Sequence, residues 1–480
     1  MTHNRLNVLM IVTDEQRIDE LGAYGSTLCR TPNLDRLAGE SILFRNAYTS
    51  CPLCSPARAT LLTGQYPHAH GVTSNTEDLG CCVQELNDTP ELLPRQLTQH
   101  GYNCGYNGKW HLGTSQGMMY GSSRKAAVPS DFGFEGLDFP GHGGIGRGYP
   151  QYKEFLARHG YNVHITEKHG TDLLAYGTWH GSGKEGVDHF ITSETISLME
   201  NFHRREKPFY IQHNFWGPHQ PYFVPDEYFH IYENMEIPPW ENFICSPENA
   251  WSVHRLRKFP GKKKAVWKQT WEPRIRHKYA FMTYIDSQVG RLLDYLDETG
   301  LRENTLVLFT TDHGDNLGGH GGLLDKGFGH FENTHHIPML MRHPDLPPSE
   351  RNDLVSLVDI YPTILEACSI NCPKGRHGRS LLDQKVPARE SVVVEFHGLH
   401  SVTLSMRTIR CGMQKYGWTA CGGDEFYDLS DDPYEIHNRI NDPKALDQIR
   451  TLQNKLLACM KDTGDQAASL YSRWLEEGYT

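Results

Sequence analysis

Cys54-Ser55-Pro56-Ala57-Arg58, followed by Ala59-Thr60-Leu61-Leu62-Thr63-Gly64, sets a thiol at the mouth of a short helix with a guanidinium four residues on. Pro56 suits a first helical turn, where its missing N–H would have had no partner. Gly64 suits the left-handed residue that closes a helix. Positions i and i+4 share a helix face, so Arg58 can lean back toward Cys54. Free backbone N–H groups at a helix start, together with an arginine, make a site for a tetrahedral anion. A nucleophile facing such a site points to sulfuryl or phosphoryl transfer. Cys51-Pro52-Leu53-Cys54 is also a C-x-x-C, which read alone is a redox pair or half a zinc site. No second C-x-x-C occurs, and neither alternative asks for Arg58 or the Thr-Gly end.

Other chemistry-bearing groups follow apolar runs. Asn7–Thr13 ends in Asp14-Glu15, Thr305–Thr311 in Asp312-His313-Gly314, and Pro208–Asn214 leads to Gly217-Pro218-His219-Gln220-Pro221. A weaker run, Asn103–Tyr106, empties into Gly108-Lys109-Trp110-His111-Leu112-Gly113. Such runs fit buried parallel strands, whose carboxyl ends gather ligand groups in open α/β sheets. Taken singly, Asp14 reads equally well as a helix N-cap, His219 as a turn histidine, and Lys109-Trp110-His111 as a surface loop. In an extended segment, alternation would put Lys109 and His111 on one face with Trp110 turned away.

Helical spacing recurs at Ile285, Val289, Leu292, Leu293 and Leu296, closed by Gly300, and helices are also expected over 90–100 and 190–202. Alternating strands and helices imply an α/β sandwich with a mixed or mainly parallel sheet. From about residue 375 the texture changes, with a strand over 391–396 and a helix over 445–460. The expected division is a catalytic domain over 1–375 and a C-terminal subdomain over 376–480. Cys368 and Cys372, four apart, are expected as core neighbours on a helix.

Cys-x-Pro-x-Arg with a Thr-Gly end resembles the signature of type I sulfatases, members of the alkaline-phosphatase superfamily. Glu425-Phe426-Tyr427-Asp428-Leu429-Ser430-Asp431-Asp432-Pro433 resembles a segment near the end of many sulfatases, where a small C-terminal subdomain with a short antiparallel sheet and a helix packs on the main domain. The resemblance implies an alkaline-phosphatase-like sandwich and covers most of the chain, with its motifs in family order. It makes Cys54 the precursor of a formylglycine, installed by a formylglycine-generating enzyme that reads Pro56 and Arg58. Asp14, Glu15, Asp312, His313 and the modified Cys54 would hold one divalent metal. Glu15 stands where the family commonly has a second aspartate, and either reaches the metal itself or sits behind its ligands. Carboxylates are the hard donors that Ca²⁺, the first choice, or Mg²⁺ prefers, and the imidazole also suits Mn²⁺.

The same resemblance gives Lys109 the role of holding the anion and the formylglycine hydroxyl. His111 becomes the base that removes the second hydroxyl proton, His219 a contact to the sulfate and the leaving oxygen, and Lys326 the neutraliser of charge on the ester oxygen. The substrate would be a sulfate ester, with a carbohydrate sulfate favoured over an aryl or alkyl one. Specificity would sit in loops holding His68, His70, Asn75, Trp216 and His397. The alternative is a phosphonate monoester or phosphodiester hydrolase with the same formylglycine apparatus; a non-catalytic protein that keeps the fold is a third reading.

The 480 residues can bury a large core, and 11% aromatic content with 27 prolines argues for a loop-rich folded enzyme. A formal charge of −11 gives no reason to expect nucleic-acid binding. No apolar leader core or membrane-length segment is present, so the expectation is a cytoplasmic protein as given, or a periplasmic or secreted one if a leader was removed. Twelve irregularly spaced cysteines are expected to be mostly reduced. A homo-oligomer is left open. The stretch 255–278, rich in lysine, arginine and aromatic residues, reads either as a solvated insertion or as a surface for an anionic saccharide or a partner subunit.

Overall fold

The computed structural model describes residues 5–478 except 77, 79–80, 115–125, 142–147, 171–174, 245–263, 384–386, 401 and 421. Asn7–Thr13 is a strand buried along its whole length, as a continuous apolar run requires when both faces are covered. It lies between two parallel partners, Thr305–Thr311 and Phe209–Asn214, and Asn103–Gly108 adds a further parallel strand beyond the latter. Among the described residues the sheet has nine strands. Their order is His336–Ile337, Ile42–Tyr48, Met339–Arg342, Thr305–Thr311, Asn7–Thr13, Phe209–Asn214, Asn103–Gly108 and Glu135–Gly136, with Ser349–Ser356 paired to Ile42–Tyr48. Met339–Arg342 runs antiparallel to both neighbours, so the sheet is mixed but parallel at its centre.

Successive strand side chains point to opposite faces, and the core divides accordingly. Leu9, Ile11, Val307 and Phe309 meet helices Val187–Arg204 and Glu272–Glu298 on one face. Val8, Met10, Val12, Leu306 and Leu308 meet helices Cys54–Thr63, Leu93–Gln99 and Ile360–Ala367 on the other. The result is the expected helix–sheet–helix sandwich, with four parallel strand ends side by side.

Ser391–Leu399, Val402–Cys411, Gln414–Thr419 and Glu425–Asp428 form a four-stranded antiparallel sheet covered by helix Leu446–Thr463. A second helix, Ala468–Glu477, has no counterpart in the sequence reading, although Tyr471, Trp474 and Leu475 recur at helical spacing and pack on the core of this sheet. A small sheet of Ile165–His169, Tyr176–Trp179 and Tyr222–Pro225 was also not expected. Cys368 is buried as expected, but Cys372 is exposed. The helix ends at Ala367, so the four-residue spacing does not continue along one face.

Candidate active site

All ten residues of helix Cys54–Thr63 are buried. Leu53 precedes the helix in an extended conformation and offers no capping side chain. Asn75 fills that role from a distance, its Oδ1 accepting the Ser55 N–H at 3.2 Å. At the other end Gly64 has φ 65°, and a Cβ there would lie within 3.0 Å of the Tyr361 ring. The helix therefore stops where the sequence places its glycine. Cys51 and Cys54 are both free thiols, and Cys51 packs in an apolar cluster with Leu53, Phe328 and Phe396.

Cys54 Sγ lies 3.8 Å from Asp14 Oδ1 and 3.4 Å from His313 Nε2, and His313 Nε2 lies 3.6 Å from Asp312 Oδ1. One ligand atom from each of Asp14, Cys54, Asp312 and His313 falls within 4.8 Å of all the others. The His313 Nδ1 donates to the Gly314 carbonyl at 2.8 Å. A carbonyl only accepts, so Nδ1 carries the proton in the neutral ring and the Nε2 lone pair faces the cluster. Four buried acceptors aimed at one point are poorly arranged as protein–protein partners and well arranged for a divalent cation. The donor set fits a metal.

Cations surround these acceptors. Lys109 Nζ donates to Asp14 Oδ2, and its backbone is fixed by Gly108. That residue has φ 103°, and a Cβ there would stand 1.7 Å from the Asn214 carbonyl oxygen. Arg58 does not reach into open space as an anion holder. Its Nε and Nη2 lie 3.0 and 2.9 Å from Asp312 Oδ2, and Nη1 donates to the Lys109 carbonyl and Asn214 Oδ1. The i+4 lean places Arg58 beside the cluster, where Asp312 takes up its charge.

Glu15 stands apart from the four convergent groups. Its backbone has φ 59°, and its buried carboxylate Oε2 meets Lys326 Nζ and His219 Nε2, each at 3.2 Å. It groups with His219 and Asp325 rather than with Asp14. The Lys109–His111 segment is not extended either. His111 has φ 54°, its carbonyl accepts the Ser55 hydroxyl at 2.6 Å, and Trp110 is buried against Tyr106, Phe132 and Phe134.

Burial pushes the Asp14 carboxyl up, but Lys109, His219, Arg58 and Lys326 outweigh it and hold it well below the usual carboxylate range. Burial likewise raises the Cys54 thiol, and Lys109 and Lys326 reverse this to a net lowering. Glu15 behaves oppositely: burial dominates over Lys326 and keeps its carboxyl well above the usual range.

The expected specificity residues all have contacts within the protein, and His68, Asn75 and His397 are half-buried. Asn75 caps the helix, Trp216 packs on Tyr149, and His70 Nε2 lies 3.3 Å from the Thr60 hydroxyl. His68 and His397 both bind Glu395, on the strand Ser391–Leu399. Residues 255–263 of the basic stretch lie outside the described residues; Lys268 is exposed and Lys278 fully buried. Sequence reasoning missed Asn214, Asp315 and Lys278. Asp315 had a signal, three residues beyond Asp312; Lys278, at the mid-face of a helix, had none.

The sulfatase family model matches residues 6–370. The chain belongs to the sulfatase family. A second model, N-sulphoglucosamine sulphohydrolase, C-terminal, matches residues 318–462 of this sulfatase. It is 28% identical to the Uncharacterized sulfatase YidJ of Escherichia coli (strain K12), over 96% of this chain and 88% of that one. It is 25% identical to the N-acetylglucosamine-6-O-sulfatase of Bacteroides thetaiotaomicron, over 90% and 82%. Its fold is also that of the phosphonate monoester hydrolase of Agrobacterium radiobacter, with a TM-score of 0.79 at 23% identity over 96% of both chains.

Proposed function

We propose that this sulfatase hydrolyses a carbohydrate sulfate ester with a formylglycine made from Cys54 and one divalent metal. The observation that carries the reading is the convergence of Cys54, Asp14, Asp312 and His313 within 4.8 Å, ringed by Lys109, Lys326 and His219. The carbohydrate lean draws on the C-terminal match and the N-acetylglucosamine-6-O-sulfatase relative.

Asp14, Asp312, His313 and the modified Cys54 would hold the metal, which would supply charge stabilisation at the tetrahedral group and acidify a bound oxygen. The carboxylates suit Ca²⁺ or Mg²⁺ and the imidazole suits Mn²⁺. Arg58 holds Asp312 in place. Lys109 is bound to Asp14 and its charge acts on the nucleophile position, where it steadies negative charge on the attacking oxygen. His219 and Lys326 stand together on the Glu15 side and serve the departing oxygen. His111 takes the proton whose removal frees the product. Conversion of Cys54 requires a formylglycine-generating enzyme that recognises Cys54, Pro56 and Arg58.

The test uses protein co-expressed with such an enzyme, the Cys54 peptide being checked by mass spectrometry for the thiol-to-aldehyde change. Converted protein is expected to release sulfate from sulfated mono- or disaccharides faster than from an aryl sulfate. A panel in which a phosphonate monoester is turned over and no sulfate ester is would replace this reading by the second one. The phosphonate reading is favoured by the fold match and by the histidine nitrogen in the donor set. Converted protein inert toward all three substrate classes would leave a non-catalytic fold.

A further inference from the structure

Lys278 closes the basic stretch in sequence, yet its side chain is fully buried on helix Glu272–Glu298. Its ammonium meets three acceptors: the Glu15 main-chain carbonyl at 3.1 Å, Asp315 Oδ2 at 2.7 Å and Glu20 Oε1 at 3.3 Å. The first two are hydrogen bonds, and Glu20 completes the site as an ion-pair partner. Asp315, Glu20 and Glu15 outweigh its burial and raise it above an ordinary lysine.

Two of the acceptors belong to the turns that carry the metal-facing carboxylates. Glu15 follows Asp14 directly, and Asp315 lies three residues after Asp312. The second turn is held from other sides too, since Arg17 Nη1 donates to the Asp315 carbonyl at 3.0 Å and the Tyr222 hydroxyl to Asp315 Oδ2 at 3.2 Å. The first turn is strained. Glu15, with φ 59°, adopts a left-handed conformation that a residue with a Cβ keeps only when its surroundings over-determine it. With its carbonyl held by Lys278, the Glu15 side chain is directed to Lys326 and His219 and away from the four convergent groups.

We propose that Lys278 is a positioning residue that ties the Asp14–Glu15 turn to the Asp312–Asp315 turn. It thereby sets both the spacing of the metal-facing carboxylates and the direction of Glu15. It touches no substrate and acts through the two turns. The inference rests on the metal-assisted reading of the site given above.

The experiment compares wild type, K278M, K278R and E20Q as full-length converted protein. Mn²⁺ and Ca²⁺ affinities are measured by calorimetry and kcat and KM on a sulfate ester. K278M and K278R are expected to bind the ions about 10–100-fold more weakly, the usual penalty for disturbing groups that orient ligands, with kcat falling by a similar factor and KM nearly unchanged. E20Q removes one partner of Lys278 without touching Glu15 or Asp315, so it lowers the unfolding temperature while leaving metal affinity and kcat alone. K278R keeps the charge, but its planar fork cannot set one nitrogen against all three acceptors, and it supplies the readout should K278M fail to fold. Lysine variants with wild-type metal affinity and kcat, or an E20Q that loses both in step with them, overturn the proposal. A wild type that binds metal yet turns over no sulfate ester overturns the functional reading alone.

Discussion

Two of the protein's buried groups of charge are built on opposite plans. At the interface of the large sheet with the C-terminal sheet, donors face acceptors. Lys415 is paired with both Glu332 and Glu435; Glu332 also accepts from Tyr48 at 2.7 Å, and its own N–H donates to Glu435 at 2.9 Å. At the strand ends, by contrast, acceptors of Asp14, Cys54, Asp312 and His313 face one another and the cations sit behind them. The first arrangement is closed and complete in protein atoms. The second is complete only with something positive at its centre. The difference separates charge used to hold two sheets together from charge held ready for a reaction.

The largest expected effect comes from the second group. D14N keeps the shape of the side chain but removes a metal-facing carboxylate, and sulfate-ester turnover should fall on the order of 10³-fold, the several kcal/mol that such charge stabilisation supplies. Its unfolding temperature should move little by comparison. Losing the bond to Lys109 is offset by relief of repulsion among the convergent acceptors. A D14N protein with near-normal turnover would break the contrast at its strongest point.

K415M probes the first group. Burial pulls the Lys415 ammonium down to about 8 while Lys415, Arg410 and His336 outweigh burial and hold Glu332 at about 2, so the intact pair stands near break-even; removing Lys415 takes the close cation from Glu435 and leaves Glu332 with Arg410 at 4.0 Å. Denaturant unfolding should show a loss of about 3–5 kcal/mol, with kcat at 25 °C changed less than about twofold because no reacting group is touched. Lost activity in the folded fraction would show that the two groups are coupled.

The two groups were unequally legible in the sequence. Cys54, Asp14, Asp312, Lys109 and His219 could be found because each follows a strand-like apolar run or opens a helix, where position in the chain predicts position in space; Lys326 comes from the family resemblance alone. Glu15 and Arg58 were found as residues but not in their directions. A left-handed φ at Glu15, and the carboxylate of Asp312 across the sheet, decide where those side chains go, and neither is encoded locally. The interface group was invisible. Lys415, Glu332 and Glu435 lie on separate elements, and nothing in their neighbours marks them as partners. Lys278 is misleading for a related reason: a lysine at the end of a basic stretch gives no sign in the sequence that its side chain turns inward.

The smallest expected effect lies at a third point, where the interface also carries a titrating bond. His68 presents Nδ1 to Glu395 Oε1 at 2.6 Å and Nε2 to the Thr463 carbonyl at 3.0 Å, at the last residue of helix Leu446–Thr463. Both partners only accept, so both nitrogens are satisfied only in the imidazolium, and the end of a helix favours that cation. Burial lowers the ring's proton affinity, but the bond and charge of Glu395, with help from Thr463 and Asp465, raise it overall. A raised folded value means that this stabilisation is fully present below the unfolded value of about 6.5 and is lost as pH rises through the folded one. His397, lowered by burial and Arg407, and His377, lowered to about 4 by burial and His68, act in the opposite direction by opposing acidification. The difference between wild type and H68Q removes the His397 contribution, and the part of the His377 lowering that comes from His68 subtracts from the gap. Unfolding temperatures measured from pH 5.5 to 9 should show wild type ahead of H68Q at the acid end, the gap closing with rising pH. The gap should stay below about 2 kcal/mol, the upper range for a histidine cation at a helix end. Turnover per folded molecule should not follow it, since His68 meets Glu395 and Thr463 and none of the convergent acceptors. A gap that widens with pH would mean that the neutral ring makes the bridge, and the interface would then owe nothing to this proton.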